Sequence, residues 1–363
     1  MVFSIGVGRE TAPSIIEGTT MEHYAGIDVS LESSCVCVVD GTGGVRRETK
    51  LTSEPQALIT WFRGLGIELA RIGLEAGPLS QWLYAGMRGA GLAVELLETR
   101  HVRDAFKAMP VKTDRKDARG IAQLMRLGWF RPVHCKSMPA QELRALLTAR
   151  KQLQSKHHDI GLSLRGILRG FGLKVGPTTP RTFERRVREL VLEHPTLAAI
   201  ADALLAARMM LQVQLHRLEK QMLAAARNDA RVRLLMSTPG VGPIVALTYA
   251  AAIDDPTRFR SSKATGAHFG LTPKKYQSGE TDVTGRISKI GDSSVRTVLY
   301  EAANVILTRP VKGSSLKSWA MRVARRAGMR KAKVALARKL AVILHRMLAD
   351  GTTFIAEKAA AAA

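Results

Sequence analysis

The chain has 363 residues, 46% of them hydrophobic, enough for two or three packed domains and too apolar for a broadly disordered protein. A formal net charge of +24 calls for a polyanionic partner, and aromatics at only 5% argue against base stacking as the main mode of binding. No run approaches about 18 uncharged apolar residues, no signal peptide opens the chain, and Cys35, Cys37 and Cys135 give neither a disulfide framework nor zinc spacing; the expected setting is a reducing cytoplasm, near the nucleoid, with no membrane partner.

Residues 1–20 have no periodicity and are expected to be a disordered tail, with Met21 as a candidate start. Residues 21–138 form the first expected domain. Strands are predicted over 24–30, 35–40 and 46–51, a helix over 55–65, a strand over 71–76, a helix over 79–89, a strand over 93–98, and then helices through Gly128. The first three strands read as an antiparallel meander and the later alternation as parallel βαβ units, which together make a mixed sheet with helices on its faces. Cys35 and Cys37 alternate in CVCVV as core strand residues.

Two of these strands carry acids at or near their ends: Asp28 in YAGIDVS and Glu75 in RIGLEAG. Asp114 and Asp117 follow in KTDRKDARGIAQLM, where a helix begins. An isolated buried charge is costly, and several carboxylates at adjacent strand ends repel one another unless a cation holds them. A hard divalent ion with oxygen ligands, Mg²⁺, is the natural cofactor. Asp114 and Asp117 are three residues apart and share one helix face; the plainer reading is two acids in an ordinary first turn. Arg115, Lys116 and Arg119 flank them and are candidates for holding a phosphate backbone.

Residues 139–229 read as a helical arm. Leu143, Leu146, Arg150, Leu153, His157, Ile160, Leu164 and Ile167 recur by threes and fours as a heptad seam. FGLKVGPTTP breaks it, and a second seam runs through Leu204, Arg208, Leu211, Leu215, Leu218 and Met222. A coiled-coil hairpin, a dimerisation arm, or both, is expected.

Residues 230–350 form a third, mainly helical domain, followed by a frayed tail over 351–363. Residues 231–363 carry 23 Lys and Arg against 8 Asp and Glu, a net of +15, so the basic excess concentrates here. Pro239-Gly240-Val241-Gly242 before a helix resembles the turn of a helix-hairpin-helix module, where Gly240 and Gly242 would let backbone N–H groups approach a phosphate. Ser293 and Ser294 read as helix N-caps. Lys312, Lys317, Arg322, Arg325, Arg326, Arg330, Lys331, Lys333, Arg338 and Lys339 follow with no acid between them, a nucleic-acid-binding stretch centred on Arg325, Arg326, Arg330 and Lys331.

The motifs YAGIDVS, IGLEAGPLSQWLYAGM, KTDRKDARGIAQL, STPGVGPIVA, FGLTPKKYQSGE and GRISKIGDSSVRTVLYEAA, in this order, resemble the DEDD transposases of insertion-sequence family one-ten, bridge-RNA-guided recombinases. The resemblance spans residues 24–349. It differs at Ala76-Gly77-Pro78, where many members read Ala-Thr/Ser-Gly after the glutamate. It implies a ribonuclease-H/RuvC-like catalytic domain over 21–138 with Asp28, Glu75, Asp114 and Asp117 as catalytic metal ligands. It also implies a C-terminal transposase domain whose serine nucleophile is Ser278, in Tyr276-Gln277-Ser278-Gly279. Lys274, Lys275, Arg286 and Lys289 would neutralise phosphates around that serine, with Ser288 a nearby competitor. The expected function is therefore Mg²⁺-dependent DNA cleavage and strand exchange through a covalent phosphoserine. DNA, a structured bridge RNA and further copies of the chain, as dimer or tetramer, are the implied partners. The alternatives are a Holliday-junction resolvase or structure-selective nuclease using the four acids and water, and a non-catalytic nucleic-acid-binding protein.

Overall fold

The computed structural model describes residues 22–107, 112–309 and 315–355. The expected tail over 1–20, Met21, Lys312 and residues 356–363 lie outside the described residues. The chain divides into two compact units, one ending at Lys136 and the other beginning at Ser137.

The N-terminal unit is built on strands β1 (His23–Val29), β2 (Ser33–Asp40), β3 (Val45–Thr52), β4 (Leu69–Glu75) and β5 (Val94–Leu97). Their order across the sheet is β3-β2-β1-β4-β5. β1, β2 and β3 pair antiparallel, while β1, β4 and β5 pair parallel, a mixed sheet of the ribonuclease-H/RuvC-like kind. Alternation along each strand sorts the residues. Ala25, Ile27, Val36, Val38, Ile72, Leu74, Val94 and Leu96 pack against helices α1 (Pro55–Gly64) and α2 (Ser80–Gly89). Tyr24, Cys37, Val39 and Leu97 form a second core on the other face, with α3 (Thr99–Phe106) and α4 (Asp114–Leu127). Cys37 is buried there and its thiol is pushed up to about 11, chiefly by burial.

One contact sets this face. α4 lies so close to β1 and β4 that the strand positions beneath it are glycines. A Cβ on Gly26 would stand 2.2 Å from the Ala118 carbonyl oxygen and 2.3 Å from the Ala122 nitrogen, and one on Gly73 would stand 2.7 Å from Ile121 Cγ2. Thr113 caps α4, accepting from the Lys116 N–H at 3.2 Å.

The C-terminal unit opens with two long helices, α5 (Met138–Gly170) and α7 (Pro195–Asn228), with the short α6 (Phe183–Val191) between them. At 33 and 34 residues each is about 50 Å long. They pack antiparallel: Arg150 bonds Glu219 at 2.7 Å, and Gly161 faces Arg208. The α5 side chains facing α7 follow the expected spacing as far as Leu164, after which Leu168 is buried and Ile167 is exposed. A straight helix at 3.6 residues per turn drifts off a 3.5-residue repeat, which moves the buried position by one. By length and composition α7 is the one described helix able to cross a membrane, which the sequence reading had not singled out. In the fold its seam faces α5 and α6, and Asp202 pairs with Arg188.

Two cores serve this unit. One gathers Leu164, Leu168, Val187, Leu197, Ala201 and Leu205 at the far end of the arm. The larger one joins the near ends of α5 and α7 to α8 (Ala230–Met236), α9 (Pro243–Ile253), α10 (Ala264–His268), α11 (Ser293–Thr308), α12 (Ser315–Ala327) and α13 (Met329–Asp350). α9 is buried nearly all round. Strands β6 (Pro273–Ser278) and β7 (Thr281–Ile287) form a hairpin in a region expected to be helical. The start of the expected C-terminal tail is not frayed: the Phe354 N–H donates to Ser237 Oγ at 2.8 Å, and its ring packs on the core.

Replacing Gly26 with alanine should push α4 off β1 at a cost of about 3 kcal/mol. Thermal denaturation of the purified variant should show the loss, and an unchanged midpoint would mean that α4 can shift freely on the sheet.

Candidate active site

Asp28 lies one residue before the end of β1, and Glu75 ends the neighbouring parallel strand β4. Both belong to the alternation that faces α4, because Gly26 and Gly73, two residues earlier on each strand, touch that helix. α4 runs antiparallel to β1, so its first turn, carrying Asp114 and Asp117, comes to the same end of the sheet. Asp117 is buried, Asp28 and Glu75 are half-buried, and Asp114 is exposed.

The electrostatics record the convergence. The Asp28 carboxyl is pushed up to about 6, first by burial and then by the charges of Asp117 and Asp114. Burial also raises Glu75, followed by the charge of Asp28. Lys112 pulls both the other way, and its Nζ stands 3.8 Å from Asp117 Oδ2. The donors are all carboxylate oxygens, which suits a hard divalent ion. Among the described residues, however, no three His, Cys, Asp or Glu side chains are gathered tightly enough to hold a metal. The four acids are near enough to repel one another but are not closed around one point.

Of the flanking cations, Arg115 and Arg119 are engaged by Glu48 on β3. Arg119 donates to Glu48 Oε1 at 2.9 Å, and Arg115 bonds Oε2 of the same carboxylate. These pairs tie β3 to α4, while both guanidinium side chains stay largely exposed. Lys116 is exposed.

In the C-terminal unit, Ser278 is the last residue of β6, at the tip of the hairpin. It pairs with Thr281 across the turn Gly279-Glu280, and it is exposed. Lys274, Lys275 and Arg286 lie on the same two strands, and Lys275 pairs with Asp282 at 3.2 Å. Lys289 lies at the base, where its N–H donates to the Gly270 carbonyl at 3.1 Å. Two features fix that base. A Cβ on Gly270 would stand 2.2 Å from the Ile290 carbonyl oxygen, so the two chains cross in contact. Arg296 Nη1 donates to the carbonyls of Phe269, Ile290 and Gly291 at 3.2, 2.9 and 3.0 Å. Ser288 Oγ accepts from the Ile290 N–H at 3.4 Å. Ser293 and Ser294 do not cap α11: Asp292 does, accepting from the N–H groups of Ser294 and Val295 while bonding Arg144 at 2.6 Å.

Gly240 and Gly242 part company. A Cβ on Gly240 would stand 2.7 Å from Ile306 Cγ1 and 2.9 Å from the Ala302 carbonyl, so this glycine is spent on packing against α11. Gly242 precedes α9 with nothing within 4 Å of its Cβ position. Arg325 and Arg326 end α12, Arg330 and Lys331 begin α13, and all four are exposed around the turn at Gly328. Lys339 leaves the expected stretch: it is 4% exposed and lies 4.8 Å over the Trp319 ring.

The sequence reading passed over Glu48, Lys112, Asp292 and Arg296. A charge-alternating strand facing a basic helix was the available signal for Glu48. Nothing local marks Arg296, whose partners lie up to 27 residues away.

Comparison with known proteins covers both units. A DEDD transposase family model for IS110 elements matches residues 25–172, and the model of the IS116/IS110/IS902 transposase family matches residues 232–318. The chain is 28% identical over 335 residues to the transposase for insertion sequence element IS1111A of Coxiella burnetii, covering 91% of this chain and 90% of that one. It is 28% identical over 290 residues to a probable family 20 transposase of Pseudomonas aeruginosa, covering 78% and 85%. The transposase for element IS1328 of Yersinia enterocolitica is 27% identical over 270 residues, covering 73% and 79%. With the four-acid unit and the serine-bearing unit each matched in chain order, the chain belongs to the IS110 family of DEDD transposases.

Proposed function

We propose that the protein is the recombinase of an insertion sequence, cutting and rejoining DNA through a covalent phosphoserine at Ser278. The observation that carries the reading is the convergence of Asp28, Glu75, Asp114 and Asp117 at one end of the sheet, where burial and neighbouring carboxylates raise Asp28 and Glu75. These four residues would hold Mg²⁺, which supplies positive charge to a scissile phosphate.

Ser278 supports the second half of the reading because its hydroxyl stands exposed on a projecting strand end. Its oxygen attacks phosphorus, a P–O bond to deoxyribose breaks, the serine proton passes to solvent, and the deoxyribose oxygen takes up a proton and leaves as a hydroxyl. A deoxyribose hydroxyl of a second strand then attacks the phosphoserine, and the serine oxygen leaves and regains a proton. The number of phosphodiester bonds is conserved, which separates strand exchange from hydrolysis. Arg325, Arg326, Arg330 and Lys331, with Lys116, Lys274, Arg286, Lys289 and the open approach at Gly242, supply backbone contacts for DNA and for a structured bridge RNA that selects the target. In this scheme residues 21–138 carry the acids and residues 139–229 join subunits into a dimer or tetramer. Residues 230–350 carry the serine.

Ser278→Ala should abolish a denaturant-resistant protein–DNA adduct while DNA retention persists, and Ser288→Ala, Ser293→Ala and Ser294→Ala should leave the adduct intact. Mass spectrometry of the digested adduct would locate the phosphoserine. Hydrolytic nicking without any adduct would favour the water-using nuclease instead.

Asp28 titrates near 3.8 in an unfolded chain and near 6 in the fold, so between about pH 4 and pH 6 the folded state holds a proton that the unfolded state has lost. Its favourable contribution is present at pH 4, declines through that window and is gone above pH 6. At pH 7 without divalent ions, Asp28→Asn should therefore raise stability by about 1–2 kcal/mol after allowance for its half exposure, a gain of roughly 2–6 °C. The gain should vanish near pH 4, and Mg²⁺ should raise the midpoint of the parent more than that of the variant. Identical midpoints at pH 7 would remove the repelling cluster.

Changing Arg325, Arg326, Arg330 and Lys331 together to glutamine should flatten the log–log salt dependence of DNA binding by roughly 3–4. An unchanged slope would mean that this turn meets no phosphate.

A further inference from the structure

All six residues of β6 and all of β7 except Ile287 are exposed, so neither face of this two-stranded sheet is covered by its own unit. An isolated hairpin with both faces in water is marginal. This one nevertheless places apolar surface outward: Tyr276 is 65% exposed, and its cross-strand partner Val283 is 55% exposed. The Tyr276 hydroxyl makes no hydrogen bond among the described residues, and no ring or cation contact occupies its face.

Strand alternation puts Tyr276 and Ser278 on the same face, two residues and about 7 Å apart. Val283 and Thr281, directly opposite them, share that face. Lys274, two residues before Tyr276, shares that face; Lys275 lies on the other face, where it neutralises Asp282, and Arg286 lies toward the base of β7. A bare aromatic ring on a hairpin whose strands also carry Lys274, Lys275 and Arg286 fits a ligand that joins phosphate to a flat apolar group, which is the chemistry of a nucleotide in a single strand.

We propose that Tyr276 is a stacking platform for an unpaired nucleobase adjoining the phosphate that Ser278 attacks, with Val283 extending the apolar surface. The proposal rests on the reading of Ser278 as the nucleophile. A base in a duplex is already stacked and paired, so a platform of this kind engages a base that has left the helix, and the cost of extraction is least where pairing is already broken. The ring therefore positions the phosphate against Oγ and favours DNA whose strands have been opened. Tyr276 acts as a positioning residue, since it touches the substrate beside the reacting atoms and takes no part in the bond changes.

The test uses the full chain and a duplex of the element's terminal DNA carrying 2-aminopurine, in turn, at each nucleotide beside the cleaved phosphate. In a Ser278→Ala background, where no bond is cut, one position should be quenched on binding. Adding Tyr276→Ala should restore its fluorescence, and adding Tyr276→Phe should not. With Ser278 present, Tyr276→Ala should slow adduct formation about 10- to 100-fold and Tyr276→Phe by less than threefold, with retention of fully paired duplex unchanged in both. Quenching that survives Tyr276→Ala, or an adduct rate within twofold of the parent, would overturn the platform. Equal losses in the alanine and phenylalanine variants would also overturn it, by assigning the effect to the hydroxyl. Because quenching is read without the covalent step, a wrong nucleophile would show separately, as an adduct mapped to another residue.

Discussion

α4 rests on the backbone of β1 and β4, and the acidic site depends on how closely it does so. Along β1 the residues beneath the helix are Tyr24, Gly26 and Asp28: a ring at one end, no side chain in the middle, and a carboxylate at the other. Without the gap at Gly26 the helix could not lie flat, and its first turn would miss the strand ends. The same approach that brings Asp114 and Asp117 to Asp28 and Glu75 also removes water from them. Convergence and a raised carboxyl pKa are thus two results of one contact. The unit carries this repulsion on a sheet whose opposite face is packed with aliphatic side chains, where the stability to tolerate it resides.

Arginine does a different job from lysine across this basic chain. Arg115 and Arg119 hold β3 through Glu48, Arg144 holds the cap of α11 through Asp292, Arg150 holds α7 through Glu219, and Arg296 closes the hairpin on three carbonyls. A planar guanidinium with several fixed donors suits joints between elements. The formal charge therefore overstates the cation available to a polyanion. Arg325, Arg326, Arg330 and Lys331, at the turn between α12 and α13, are exposed and make no ion pair among the described residues.

The order of strands and helices in the first unit was legible because period-two alternation, turn residues and a capped helix each act over a few positions. The acids stood out for the same reason: a carboxylate at the end of an apolar run breaks a local pattern. What escaped was set by partners distant in sequence. The pairing of Arg115 and Arg119 with Glu48, 67 and 71 residues away, could not be read from their own neighbourhood. Gly240 looks like a phosphate turn until α11 packs onto it. Lys339 belongs to a basic run by composition, yet helical periodicity turns it inward onto Trp319. The hairpin was hidden in a Lys- and Gly-rich stretch because its strands cover little beyond Ile287, and strand patterns are recognised by what they bury. Ser293 and Ser294 fit a cap by type, but Asp292, one residue earlier, has the stronger acceptor.

The hairpin is gripped at one end only. Arg296 and the crossing at Gly270 hold its base, while Ser278 sits six residues out, about 20 Å along β6. Such a lever magnifies motion: a tilt of about 10° at the base carries the serine about 3–4 Å, more than the reach of a bond-forming approach. Tightening the base alone would leave the tip imprecise, so the final alignment of the hydroxyl has to be imposed from outside, by the surface on which the tip comes to rest. Under the proposed reading of Ser278 as the nucleophile, its hydroxyl stays unaimed until then, which would protect DNA met by chance from being cut.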